Sequence, residues 1–140
     1  MSDQTLLGQV LLHSGPGVAA RARACALGLA QLEDSSVAER VELAVSEIIQ
    51  NIWRHAYQGR NRGPIKLSVY DRSDGIEIQI EDRGVALSNE PVGRENSAEL
   101  LPGGRGIMLV RSVANQYEYR PNPQGAGALQ VLVFERGLTT

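Results

Sequence analysis

Ile76-Glu77-Ile78-Gln79-Ile80-Glu81-Asp82-Arg83-Gly84 is the stretch that decides the fold. Its isoleucines recur at every second position. Successive side chains of a strand point to opposite faces, so this segment reads as a strand with one covered and one wet face. Upstream of a Ser73-Asp74-Gly75 turn, Ile65, Leu67 and Val69 alternate in the same way, which predicts an antiparallel hairpin with a single buried face. Counting on by twos from Ile80 reaches Asp82. Its carboxylate then emerges on the covered face, where a polar group without a partner costs several kcal/mol. The residues also permit a strand that stops at Glu81, with Asp82 opening a turn. Gly84 allows close approach of a flat ligand or an unusual backbone angle.

The covered face needs helices, and the sequence before the hairpin supplies two. Gln9-Val10-Leu11-Leu12-His13 is a short strand stopped by Ser14-Gly15-Pro16-Gly17. Val18, Ala22, Cys25, Ala26, Leu29 and Leu32 follow at helical spacing, with Arg21 and Arg23 off that face as solvated residues or a partner-facing patch. Glu33-Asp34-Ser35-Ser36 interrupts the pattern. A second helix is predicted from Ser36, with Glu39 completing a capping box, to about Tyr57. Its apolar arc is Val41, Ala44, Val45, Ile48, Ile49, Ile52 and Ala56. At 100° per residue, Asn51 lies about 40° from Glu47, Arg54 about 20° the other way, and His55 about 80° round. This strip of carboxylate, amide, guanidinium and imidazole is either a site or the wet side of an amphipathic helix. Trp53 and Tyr57 lie off the arc, as cover for a ligand, as a partner contact or as a satellite packing cluster.

After the hairpin, residues 85–103 sustain no period, and a segment that long in a small domain is usually functional or mobile. Gly103-Gly104-Arg105-Gly106 then opens a third helix bearing Ile107, Leu109, Val110, Val113 and Ala114. Glycines bring backbone N–H groups close to an anion, and a helix N-terminus favours negative charge; a Gly cluster is equally a hinge or a turn. Tyr117-Glu118-Tyr119 and Leu129–Phe134 form a second hairpin through Pro121-Asn122-Pro123-Gln124-Gly125. The order β-α-α-β-β-α-β-β predicts an α+β two-layer sandwich, a mixed and mainly antiparallel sheet with helices on one face.

Composition narrows the classes. A chain of 140 residues fits one domain over 1–140, and at 42% hydrophobic and 21% charged it reads as globular. A net charge of −2 gives no bulk attraction to nucleic acid or to acidic membranes. No apolar run approaches the ~20 residues of a bilayer span, and Met1-Ser2-Asp3-Gln4 does not begin a signal-peptide pattern. A cytoplasmic location is the expectation. The single Cys25 cannot form an internal disulfide and reads as a small buried hydrophobe.

Taken in order, helix Glu47-x-x-x-Asn51, strand-end Asp82-x-Gly84 and Gly104-x-Gly106 at a helix start resemble the nucleotide-binding signature of the GHKL (Bergerat-fold) ATPases. Within that superfamily the chain looks most like the anti-sigma factor serine/threonine-protein kinases, whose catalytic domain is of histidine kinase type. Glu42-Leu43-Ala44-Val45-Ser46-Glu47 with Asn51 and Arg54-His55-Ala56-Tyr57 carries the resemblance. So do Ile80-Glu81-Asp82-Arg83-Gly84 and Gly103-Gly104-Arg105-Gly106-Ile107 with Leu109-Val110-Arg111. At the first helix the likeness is compositional only.

The resemblance implies roles. Asn51 would hold Mg²⁺ through its amide oxygen, and Glu47 would be the base for an attacking serine hydroxyl. Asp82 would accept the adenine 6-amino group, favouring ATP over GTP, with Gly84 beside the ring. Gly103, Gly104, Arg105, Gly106 and Ile107 would hold the β and γ phosphates, under an ATP lid at about 85–103. Arg54 would be a phosphate contact or solvated, and His55 a stacking or packing residue rather than a phosphoacceptor. The implied activity is ATP-dependent phosphorylation of a serine on an anti-sigma-factor antagonist (STAS-type) and sequestration of a sigma factor or another regulatory target. Two alternatives are an ATP-binding switch without transfer and a detached histidine-kinase catalytic domain. Members of such families commonly pair as homodimers; no residue pattern here demonstrates it.

Overall fold

The computed structural model describes residues 4–86, 104–123 and 125–136. The alternating segments form β2 (Pro64–Arg72) and β3 (Gly75–Asp82). They pair antiparallel with Leu67 opposite Ile80, Val69 opposite Ile78 and Ile65 opposite Asp82. Asp82 is therefore still in the ladder, and the alternative in which the strand stops at Glu81 is not adopted. On the covered face Ile65, Leu67, Val69, Ile76, Ile78 and Ile80 are buried, each contributing about 1.5–3 kcal/mol by leaving water. The opposite face carries the Lys66–Glu81 and Arg72–Glu77 ion pairs.

The other strands among the described residues are β1 (Thr5–His13), β4 (Gln116–Pro121) and β5 (Ala128–Glu135). The sheet order is β1-β2-β3-β5-β4. The expected antiparallel character extends to every pairing among the described residues. β1 begins four residues earlier than its sequence pattern indicates, with a register irregularity between Leu6 and Gly8. Gly8 lies there against Leu29: a Cβ would stand 2.5 Å from a Leu29 methyl, which would have to move aside.

Among the described residues three α-helices cover one face: α1 (Val18–Ala30), α2 (Ser35–Asn51) and α3 (Gly104–Val113). α2 packs against both of the others. It buries Val41, Ala44, Val45, Ile48 and Ile49, most of the expected arc. Two local expectations are corrected. The cap of α2 is Asp34, not Ser36: Asp34 Oδ1 accepts the Ser36 N–H at 2.8 Å and the Val37 N–H at 3.4 Å. A carboxylate is the stronger acceptor at the positive end of a helix, so the start moves forward. Those two N–H bonds hold the Asp34 carboxyl below its usual pKa.

The second correction concerns the far end. α2 does not run on regularly to Tyr57 but passes at Asn51 into a π-helical turn, Ile52–Ala56. The Tyr57 N–H donates to the Ile52 carbonyl at 2.9 Å and the Gly59 N–H to the Trp53 carbonyl at 2.8 Å. Such turns hold an extra residue and occur frequently at functional sites. Cys25 is half-buried rather than enclosed. Among the described residues no helix is long and apolar enough to cross a membrane.

Candidate functional site

Glu47 and Asn51 lie one turn apart on α2, both half-buried, and the start of α3 meets them. A Cβ placed on Gly106 would stand 2.5 Å from Glu47 Oε2 and 3.6 Å from the Asn51 amide nitrogen. Any side chain at residue 106 would occupy the space beside the carboxylate. The glycine thus brings the positive end of α3 against the polar strip of α2.

The Asp82 side chain is 3% exposed and sits between Ile65 and Ala128 in the ladder. The Gly84 N–H donates to Asp82 Oδ1 at 2.8 Å. Burial raises the carboxyl pKa from 3.8 to about 6, opposed by the Gly84 bond and reinforced by the charge of Glu81. The strand end is held on two sides. The Val85 N–H donates to the Ala56 carbonyl at 2.8 Å, and a Cβ on Gly84 would come within 2.4 Å of that same carbonyl oxygen. From the other side Gly127, at φ +99°, lies so close that a Cβ would meet the Asp82 carbonyl oxygen at 1.9 Å. The result is a carboxylate on a fixed backbone at the end of the helix-covered face.

This burial has a sign for pH. The folded protein holds a proton on Asp82 at pH values where the unfolded chain has lost it. Stability therefore falls as pH rises from about 4 to about 6 and levels off above, a contribution of about 3 kcal/mol. Urea unfolding of wild type and Asp82→Asn at pH 4.5 and 7 checks this. The variant should lack the decline, and equal pH slopes in both proteins would contradict it.

The other expected site residues divide. Arg54 and His55 are both exposed on the π-turn. Partial burial, and then the charge of Arg54, lower the His55 pKa, so its ring is neutral near pH 7. Ile107 points into the core. Gly104 begins α3; the roles expected of Gly103, of the Arg105 side chain and of the lid beyond Ala86 lie outside the described residues. Trp53 and Tyr57 pack against the core, and Trp53 Nε1 donates to the Gly59 carbonyl at 3.2 Å. Arg23 donates to Ser46 Oγ at 2.7 Å and so ties α1 to α2. Sequence reasoning passed over Gly127, because its partner is a backbone atom far away in the chain. Only its place in a Gly125-Ala126-Gly127 loop hinted at it.

The site can offer a carboxylate and an amide beside an anion-favouring helix start, and at the strand end a second carboxylate for a polar hydrogen. The family described as histidine kinase-like ATPase domain matches residues 15–129. A protein named serine-protein kinase RsbW from Oceanobacillus iheyensis is 31% identical over 115 residues, covering 65% of this chain and 73% of the relative. Proteins of the same name from Listeria innocua and Staphylococcus aureus are 29% and 30% identical over 83 and 87 residues. There the match spans only about half of the relatives' length, 53% and 55%. With the family match extending over most of its length, this chain belongs to the histidine kinase-like ATPase domain family.

Proposed function

We propose that this protein is an ATP-dependent protein-serine kinase acting in a partner-switching system. It would phosphorylate a serine on a small STAS-type antagonist and hold a sigma factor, or another regulatory target, when that antagonist is out of play. The observation that carries the reading is the abutment of Gly106 on the Glu47 carboxylate. A protein that only held ATP would have no use for an acid at the phosphate end, whereas a kinase needs a base for the attacking hydroxyl. The names of the serine-protein kinase relatives support the same activity.

In this reading Asp82 accepts from the adenine 6-amino group and Gly84 lets the ring lie against backbone. The first turn of α3, from Gly104 through Arg105, Gly106 and Ile107, takes the β and γ phosphates. Asn51 is the residue to hold Mg²⁺, since a hard cation takes oxygen donors such as an amide carbonyl. When bound, the ion would neutralise phosphate charge. Glu47 receives the serine proton as the hydroxyl oxygen bonds to the γ phosphorus and the ADP oxygen leaves.

The test is direct. The purified protein is incubated with Mg·ATP and an antagonist encoded in the same genome, and phosphoserine is sought by mass spectrometry. One labelled serine is the expected result, and Asn51→Ala should abolish both the labelling and the Mg-dependent part of ATP binding. Tight ATP binding without transfer to any such protein would overturn the kinase reading.

A further inference from the structure

The Tyr57 hydroxyl joins three parts of the chain that the proposed chemistry leaves unused. It donates to the Pro64 carbonyl at 2.5 Å, at the start of β2, and accepts the Arg83 N–H at 2.8 Å, one residue beyond Asp82. Burial raises the pKa of this phenol above its usual value, so the hydroxyl stays protonated and keeps its donor. The ring is equally committed. A Cβ on Gly63 would lie 2.6 Å from three Tyr57 ring carbons, so the glycine backbone stacks directly on the aromatic face. Gly63 is itself held by Ser14: its N–H donates to Ser14 Oγ at 2.8 Å, and Ser14 Oγ donates to the Arg60 carbonyl at 2.7 Å. Ser14 is buried.

Beside this lies the second tie, from the Val85 N–H to the Ala56 carbonyl. The residues flanking Gly84, Arg83 and Val85, are thus each anchored to the end of the π-turn, one by a side chain and one by backbone. Between them Gly84 directs its own N–H to Asp82 Oδ1. The orientation of the Asp82 carboxylate is therefore set through Gly84, and that of Gly84 through Tyr57 and Ala56.

We propose that Tyr57 is a positioning residue for base selection: by holding the Arg83 N–H it fixes the Asp82 carboxylate in the orientation that accepts a purine 6-amino hydrogen. The inference rests on the reading of Asp82 as the adenine acceptor. It predicts a selective defect. Without the hydroxyl the Arg83–Gly84 backbone loses one of its two anchors, and the carboxylate samples orientations that no longer meet the amine. The groups that take phosphates lie on α2 and α3 and are not touched by the change.

The test compares wild type and Tyr57→Phe, which keeps the ring on Gly63 and removes the oxygen alone. Dissociation constants are measured by calorimetry with Mg²⁺ for ATP, for inosine triphosphate, whose base carries a 6-oxo group, and for inorganic tripolyphosphate. Tyr57→Phe should weaken ATP about ten-fold, the scale of losing one or two hydrogen bonds around a buried acceptor. Inosine triphosphate and tripolyphosphate should shift less than about two-fold, so that most of the preference for ATP disappears. A variant that loses affinity for all three ligands equally would assign Tyr57 a structural role only and overturn the proposal. Full retention of the ATP preference would overturn it too. If wild type itself fails to prefer ATP over inosine triphosphate, the adenine reading of Asp82 fails and the inference falls with it. The wild-type measurement alone separates that outcome from the other two.

Discussion

Glu47→Gln should slow phosphoryl transfer to serine by about 10²- to 10⁴-fold, the usual worth of a positioned general base. Affinity for Mg·ATP should stay within a few-fold of wild type. The amide has nearly the shape of the carboxylate, so the contact with Gly106 is kept and only the capacity to take a proton is removed. A serine hydroxyl is a weak nucleophile at neutral pH, and its proton must go somewhere as the new bond forms. The discriminating measurement is single-turnover transfer with ATP saturating, where a binding defect no longer contributes. Unchanged transfer in the variant would remove Glu47 from the chemistry. Reduced transfer with an equally reduced affinity would instead make it a binding group.

The largest effect on stability is expected at Gly127, which carries no chemistry. Gly127→Ala places a methyl group 1.9 Å from the Asp82 carbonyl oxygen and 2.7 Å from the Arg83 Cα, at φ +99°. The backbone conformation alone costs about 1–3 kcal/mol for a residue with a side chain. Relieving the overlap requires parting two paired strands, because Asp82 lies opposite Ala128, the next residue. A total of about 3 kcal/mol or more is expected, a large fraction of the 5–15 kcal/mol typical of a domain. Urea unfolding of the variant should show a much lower midpoint, and adenine-dependent affinity should fall with it. A midpoint matching wild type would mean that the loop yields and that the contact is not rigid.

The elements that sequence made legible are those whose signal is periodic. Alternation in β2 and β3 identified the hairpin and its covered face, because a period of two leaves no freedom of phase once several isoleucines are fixed, but it left Asp82 open between the last buried rung and the start of a turn. The apolar arc of α2 was visible for the same reason, and with it the neighbouring positions of Glu47 and Asn51. The start of α2 was misjudged because Asp34 and Ser36 are both competent caps, and the choice depends on which acceptor is stronger at that point. The insertion of β5 between β3 and β4 leaves no local trace. It is decided by which apolar strand best fills the middle of the sheet, where Leu132 and Phe134 are fully buried. Within the site, Gly106 was marked by its cluster. The ties made by Tyr57 and Gly127 were hidden, since each joins a residue to main-chain atoms whose identity no side chain records.

The π-turn at Ile52–Ala56 has a final consequence. It carries one residue more than an ordinary turn would need, and Tyr57 follows directly after it. Wound as regular α-helix, the same residues would turn Tyr57 about 100° away and leave Arg83 behind. The surplus residue is thus a phase adjuster between two periodic structures. It lets the polar strip of the helix and the last rung of the sheet address the same small volume, which neither repeat would achieve alone.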